Sequence, residues 1–265
     1  MRREFRRRDD TVEAMFERAD EALYAAGQAG RDQVVVARGR GGATRSPRVD
    51  GERRMLPAKP VPLLRPAAAL VALLAASAVA LQYALLLRLA TDGFALATLR
   101  FLSYFTILSN LAVVATCVAA ALGGRSCLAD PRAHGAVALY IAVTGLVYVV
   151  VLRHLWQPQG LQWWADSGLH YATPLAYLAW WVWRVPHGSL RWRDLGAWLL
   201  FPLAFLGWTL LRGAWLAEYP YPFIDVGTLG VAVALRNAAG ICVVFVALGA
   251  LLVALDRSLG RRARA

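Results

Sequence analysis

The sequence predicts an all-α protein, a polytopic bundle of six transmembrane helices with a short, mostly unstructured polar N-terminal extension. Three observations carry this. The 265 residues are 58% hydrophobic and only 17% charged, with a mean hydropathy of +0.46, whereas soluble domains carry about 25% charged residues. The charge is also uneven: residues 1–65 hold 25 charged side chains and residues 66–265 hold 21. Finally, six apolar runs reach the roughly 20 residues that a helix needs to cross a bilayer. These features exclude a soluble enzyme, a disordered chain and a disulfide scaffold.

In chain order, the first run is Pro66 to Leu87, bounded by Arg65 and Arg88. It resembles a signal peptide at Ala75-Ala76-Ser77-Ala78. Its length exceeds the 7–15 residues of a signal core, so an uncleaved signal anchor is expected. The second run is Phe101 to Leu122, closed by Gly123-Gly124-Arg125. The third lies between Arg132 and Arg153, the fourth spans roughly Trp163 to Trp183, and the fifth roughly Leu195 to Trp215. The sixth ends at Leu255 and begins either near Val226 or only after Arg236. The membrane domain is thus expected at 65–256, with a basic cytoplasmic tail at 257–265.

Basic residues near span ends set orientation. With the N-terminus inside, 14 Lys/Arg fall in the inner segments and three to five in the outer loops. Both termini are therefore expected in the cytoplasm, in the cell (plasma) membrane. Trp156, Trp163, Trp164 and Trp215 are expected at the outer interface, and Trp180, Trp181, Trp183 and Trp192 at the inner one. The net charge of +12 and pI near 10.4 do not imply nucleic acid, because the arginines punctuate apolar runs and build no basic face.

Residues 17–38, with Ala19-Asp20-Glu21-Ala22-Leu23-Tyr24 and Gly30-Arg31, resemble the C-terminal helix and strand of a GGDEF (diguanylate cyclase) domain. The GG(D/E)EF loop that carries that family's chemistry is absent from the sequence, so no cyclase activity is expected. Residues 1–38 read as a remnant and 39–64 as a Gly-, Arg- and Pro-rich linker, with Met55 a candidate start for the working protein.

A bilayer penalises polar groups, so those inside the spans are informative. Thr106 and Asn110 share one helix face by their i, i+4 spacing, as do Asp166 and His170. The second and fourth spans run in the same direction, and Thr106 and His170 lie roughly 8–11 Å below the outer boundary at 1.5 Å per residue. Thr144, Tyr148, Thr209 and Arg212 enter the same half from the third and fifth spans. Asp225, Arg236 and Asn237 enter it from the last outer loop. A polar recess opening toward the outer leaflet is expected. Each residue also has a structural reading. Thr106 suits a bond to its own helix, Asn110 an interhelical bond, and Arg212 and Arg236 a position snorkelled to the surface. A zinc site from His154, Asp166 and His170 is conceivable, but the sequence has no HExxH, GxSxG or P-loop motif, and no metal or cofactor is expected. Cys117, Cys127 and Cys242 form no CxxC pair and imply no redox centre.

Ser103-Tyr-Phe-Thr106-Ile-Leu-Ser-Asn110, His170-x-x-x-Pro174 and Tyr219-Pro-Tyr-Pro-Phe-Ile-Asp225, in this order over six spans, resemble the bacterial branch of the androgen-induced-gene-like membrane proteins. The resemblance covers about residues 66–256. It implies an intramembrane threonine hydrolase of fatty acid esters, with Thr106 as nucleophile and His170 as base. Asn110 and Asp166 would orient these groups, and Arg212 or Arg236 would hold a substrate carboxylate. The expected partner is a membrane lipid or fatty acid ester. The alternative from another class is a non-catalytic membrane transporter or lipid-binding protein.

Overall fold

The computed structural model describes residues 64–91, 93–123 and 126–263, all within one compact unit, Ala58–Ala265. The readings made for residues 1–38 and for the linker as far as residue 63 lie outside the described residues. Every regular element among the described residues is helical. In order they are α1 (Leu64–Leu89), α2 (Phe94–Leu102), α3 (Phe105–Leu122), α4 (Pro131–Val147), α5 (Leu161–Ser167), α6 (Thr173–Arg184), α7 (Asp194–Leu216), α8 (Val226–Leu229) and α9 (Val231–Arg262). One π-helical turn, Tyr148–Leu152, prolongs α4, and another, Gly168–Ala172, joins α5 to α6.

Five helical stretches are long and apolar enough to cross a membrane: Arg65–Leu89, Phe105–Leu122, Pro131–Leu152, Asp194–Leu216 and Val231–Arg262. Leu70, Leu73, Leu200, Leu211 and Leu251 on these stretches are each more than 60% exposed. Contiguous apolar surface of this kind belongs to a membrane-embedded protein. The expected fourth span is a composite, with α5, the π-turn and α6 contributing 7, 5 and 12 residues. Its Trp, Tyr and His content and Asp166 keep it below the apolarity of the other five. The expected second span is interrupted at Ser103–Tyr104, so α2 stands apart and Thr106 is the second residue of α3. The last helix starts at Val231, between the two expected starts, and continues through Arg262, beyond the expected end at Leu255.

Local chemistry sets the other boundaries. Gly123 closes α3 in the left-handed region at φ 68°, where glycine carries no Cβ penalty. Asp130 caps α4 by accepting the Arg132 N–H at 2.8 Å, with Pro131 in the first turn, where its missing N–H costs nothing.

Helix association in lipid rests on close packing and interhelical hydrogen bonds. The small buried residues Ala68, Ala72, Ala75 and Ala78 line one face of α1, which packs against α3, α5 and α6. A Cβ on Gly168 would lie 2.8 Å from the Ala78 methyl, so glycine is required there. Phe105 anchors the core with its ring 5.2–6.2 Å from Tyr140, Phe201, Phe205 and Phe245. Ser109 bonds Thr144 at 2.9 Å, and Tyr140 donates to the Trp198 carbonyl at 2.8 Å. Each such bond contributes about 0.6–2 kcal/mol in a bilayer.

At the end of the bundle opposite Thr106, Asp256 of α9 accepts the Leu190 N–H at 2.9 Å and faces His187 Nδ1 at 3.1 Å. This ties α9 to the α6–α7 loop. Trp180 and Trp181, expected in an interfacial belt, are buried. Trp180 packs edge-on against His134 and Trp181 against His187. The other six belt tryptophans are exposed.

Candidate functional site

The break before α3 shapes the first half of the site. Ser103 Oγ donates back to the Leu99 carbonyl at 2.7 Å and receives the Trp208 indole N–H at 3.3 Å. Tyr104 is extended, with φ −99° and ψ 127°. The new helix therefore begins at Phe105, and Thr106 lies in its first turn, where N–H groups have no intrahelical acceptor. The Phe105 N–H goes to the Tyr221 hydroxyl at 2.9 Å. The Ile107 and Leu108 N–H groups both turn to the Tyr104 carbonyl, at 3.1 and 3.2 Å.

The second half sits on the π-turn between α5 and α6. Pro174 has no N–H to give to the His170 carbonyl four residues earlier. The Thr173 N–H reaches back to Gly168, the five-residue reach of a π-turn. His170 is carried on this widened segment. Tyr148, which starts the other π-turn, stacks on it with ring centroids 3.9 Å apart and planes 12° apart.

The two halves meet at Thr106 Oγ1 and His170 Nε2, 3.3 Å apart. The other imidazole nitrogen, Nδ1, faces the Asp166 carbonyl at 3.0 Å and Asp166 Oδ1 at 3.2 Å. Two acceptors on Nδ1 assign its proton there and leave Nε2 as an acceptor for the Thr106 hydroxyl. The second Asp166 oxygen receives the Tyr148 hydroxyl. Asp166 and Tyr148 are buried, and the His170 side chain is 13% exposed. The arrangement is a hydroxyl, an imidazole and a carboxylate in series, the geometry that activates an alcohol toward a carbonyl.

The remaining residues singled out in the sequence fall as follows. Asn110 is fully buried and donates to the Thr106 and Leu169 carbonyls at 2.8 and 3.3 Å, joining α3 to the π-turn. Arg212 is buried and bound to Glu218, with Nη2 to Oε2 at 2.7 Å. Arg236 is exposed on α9. Neither arginine lines the cavities beside Thr106. Arg212 Nη2 and Nη1 bind the Glu218 carboxylate and carbonyl, at 2.7 and 3.3 Å. Among the described residues no group of three or more His, Cys, Asp or Glu could hold a metal ion. His154 Nε2 instead accepts from Arg153 at 3.0 Å.

Sequence reasoning missed two residues. Glu218 draws together two arginines, binding Arg100 (2.6 and 3.0 Å) as well as Arg212. It thereby fastens the loop after α7 to α2. The same loop carries Tyr221, whose hydroxyl lies against Thr106; burial pushes this phenol up to about 12, although its bonds to Thr106 and Phe105 pull the other way. The Tyr219-Pro-Tyr-Pro run was the available signal for Tyr221. Glu218 had one too, as an acid beside a membrane-depth arginine.

Thr106 stands between two cavities. One, of about 90 Å³, is apolar and runs between α4, α7 and α9, lined by Val143, Phe205, Ala238, Ile241, Cys242 and Phe245. The other, of about 330 Å³, holds His170, Asp166, Tyr148, Gln82, Gln162 and Trp156. Thr106, Leu152 and Tyr221 line both.

No protein-family model, curated protein or solved structure matches the chain.

Proposed function

We propose that this integral membrane protein is a six-span, plasma-membrane hydrolase of lipid esters, with Thr106 as nucleophile, His170 as general base and both termini in the cytoplasm. The observation that carries the reading is the series Thr106 Oγ1, His170 Nε2, His170 Nδ1 and Asp166 Oδ1, with successive contacts of 3.3 and 3.2 Å. The composite Leu161–Arg184 stretch supplies the sixth span. The Lys/Arg asymmetry of the loops supports the orientation. The similarity of the Thr106, His170 and Tyr219–Asp225 motifs to the androgen-induced-gene-like family supports the reaction class.

In this reaction Thr106 Oγ attacks the ester carbonyl carbon while its proton passes to His170 Nε2. The intermediate collapses, the ester C–O bond breaks, and His170 returns the proton to the departing alkoxide. A water deprotonated by His170 then releases the acid from Thr106. Because His170 must reach the leaving oxygen, the alcohol half belongs in the larger cavity. The acyl half then belongs in the apolar one.

A fluorophosphonate probe on detergent-solubilised protein tests this. Wild-type protein becomes labelled at Thr106, and Thr106→Ala and His170→Ala do not. A wild-type protein that resists the probe, yet binds fatty acid saturably, would instead be a non-catalytic lipid carrier.

A further inference from the structure

Hydrolysis at Thr106 requires a donor for the negative charge that develops on the carbonyl oxygen. Backbone N–H groups at a helix start are the usual source, but here those of Phe105, Ile107 and Leu108 are occupied. Phe105 donates to Tyr221, while Ile107 and Leu108 donate to Tyr104. The phenol oxygen thus accepts the first of these donors, at 2.9 Å, and its own proton is still available to give.

We infer that Tyr221 is the oxyanion donor of this site, its hydroxyl relaying the N-terminal end of α3 onto the substrate carbonyl oxygen. The inference rests on the hydrolase reading above.

Three features fit the role. Tyr221 lines both cavities together with Thr106, so its hydroxyl lies where an ester bridging them would place its carbonyl. Its ring is held on several sides, stacked on Phe223 at 5.2 Å and packed against Tyr104 and Phe205 at 6.0 and 6.4 Å. Its loop is fixed three residues earlier by Glu218, braced by Arg100 and Arg212. A donor positioned before the reaction needs no reorganisation as charge develops. In the resting site the proton sits on the Tyr221 oxygen, which accepts the Phe105 N–H at 2.9 Å. On attack it turns to the new oxyanion, and it returns when the carbonyl re-forms. No net proton is transferred through the phenol.

The test is the rate constant of fluorophosphonate labelling, separated from the reversible affinity for the probe, on full-length protein in detergent. Tyr221→Phe keeps the ring and should lower the rate constant about 10²–10³-fold with little change in probe affinity. Tyr219→Phe, in the same loop, should label at the wild-type rate. If Tyr221→Phe does not fold, 3-fluorotyrosine at position 221 preserves the ring and hydroxyl. Its more acidic phenol should move the alkaline fall of labelling to lower pH. Wild-type labelling of Tyr221→Phe, or an unmoved alkaline limb, would overturn the inference. A wild-type protein that never labels would overturn the hydrolase reading first, so the two failures are distinguishable.

Discussion

Replacing Asp166 with Asn tests the His170 side of the site most directly. The side chains are nearly isosteric, so the change alters charge and donor pattern with little change in packing. In wild-type protein Asp166 Oδ1 faces His170 Nδ1 at 3.2 Å, and the Asp166 backbone carbonyl faces the same nitrogen at 3.0 Å. In serine-protease triads, where the carboxylate alone fixes the tautomer, the equivalent change costs about 10⁴ in kcat. Here the backbone carbonyl survives the substitution and continues to hold the proton on Nδ1. What is lost is the charged partner of the imidazolium that forms as Thr106 attacks. A hydrogen bond to a charged group contributes about 1.5–3 kcal/mol, a factor of about 10 to 150 in rate. Asp166→Asn should therefore label with fluorophosphonate about 10- to 150-fold more slowly than wild type, while thermal unfolding in detergent confirms an intact fold. Labelling within threefold of wild type would refute the role given to the carboxylate.

Other outcomes follow from the packing. Asn110→Ala removes both bonds that join α3 to the π-turn; it should cost about 1–3 kcal/mol of stability and slow labelling through a wider Thr106–His170 gap, as read by unfolding and labelling in parallel. Asp256→Ala strips His187 and the Leu190 N–H of their buried partner and should lower stability by about 1–3 kcal/mol, seen as a lower melting temperature in detergent. Ala217 ends α7 at φ 52°, where a Cβ is strained, so Ala217→Gly should raise stability by up to about 1 kcal/mol in the same assay. Cys242→Trp fills the apolar cavity and should reduce hydrolysis of long-chain esters by about tenfold or more relative to acetyl esters, measured by product release from the matched pair.

Much of the site was legible because helix direction and rise are simple quantities. The expectation of parallel second and fourth spans put Thr106 and His170 at similar depth, and their side chains are 3.3 Å apart. The i, i+4 spacing likewise paired Asp166 with His170. What escaped the sequence came from tertiary contacts. No Gly or Pro marks the break at Ser103–Tyr104; it is held by Trp208 on Ser103 and by Tyr221 on Phe105, residues more than 100 positions away. The pairing of Arg212 with Glu218 depends on a loop conformation that sequence spacing does not set. The burial of Trp180 and Trp181 against His134 and His187 escaped as well, because those partners lie on other segments of the chain.

The two π-turns also set a constraint on chain length. Each holds one more residue than a regular helical turn, and each carries a ring of the stacked Tyr148–His170 pair. Deleting a single residue from Tyr148–Leu152 or Gly168–Ala172 would restore regular winding there and take the ring it carries out of the stack. Substitutions within these turns trade one contact for another, but an insertion or deletion breaks the alignment of the two rings. At these two places the protein can change its letters far more readily than its count.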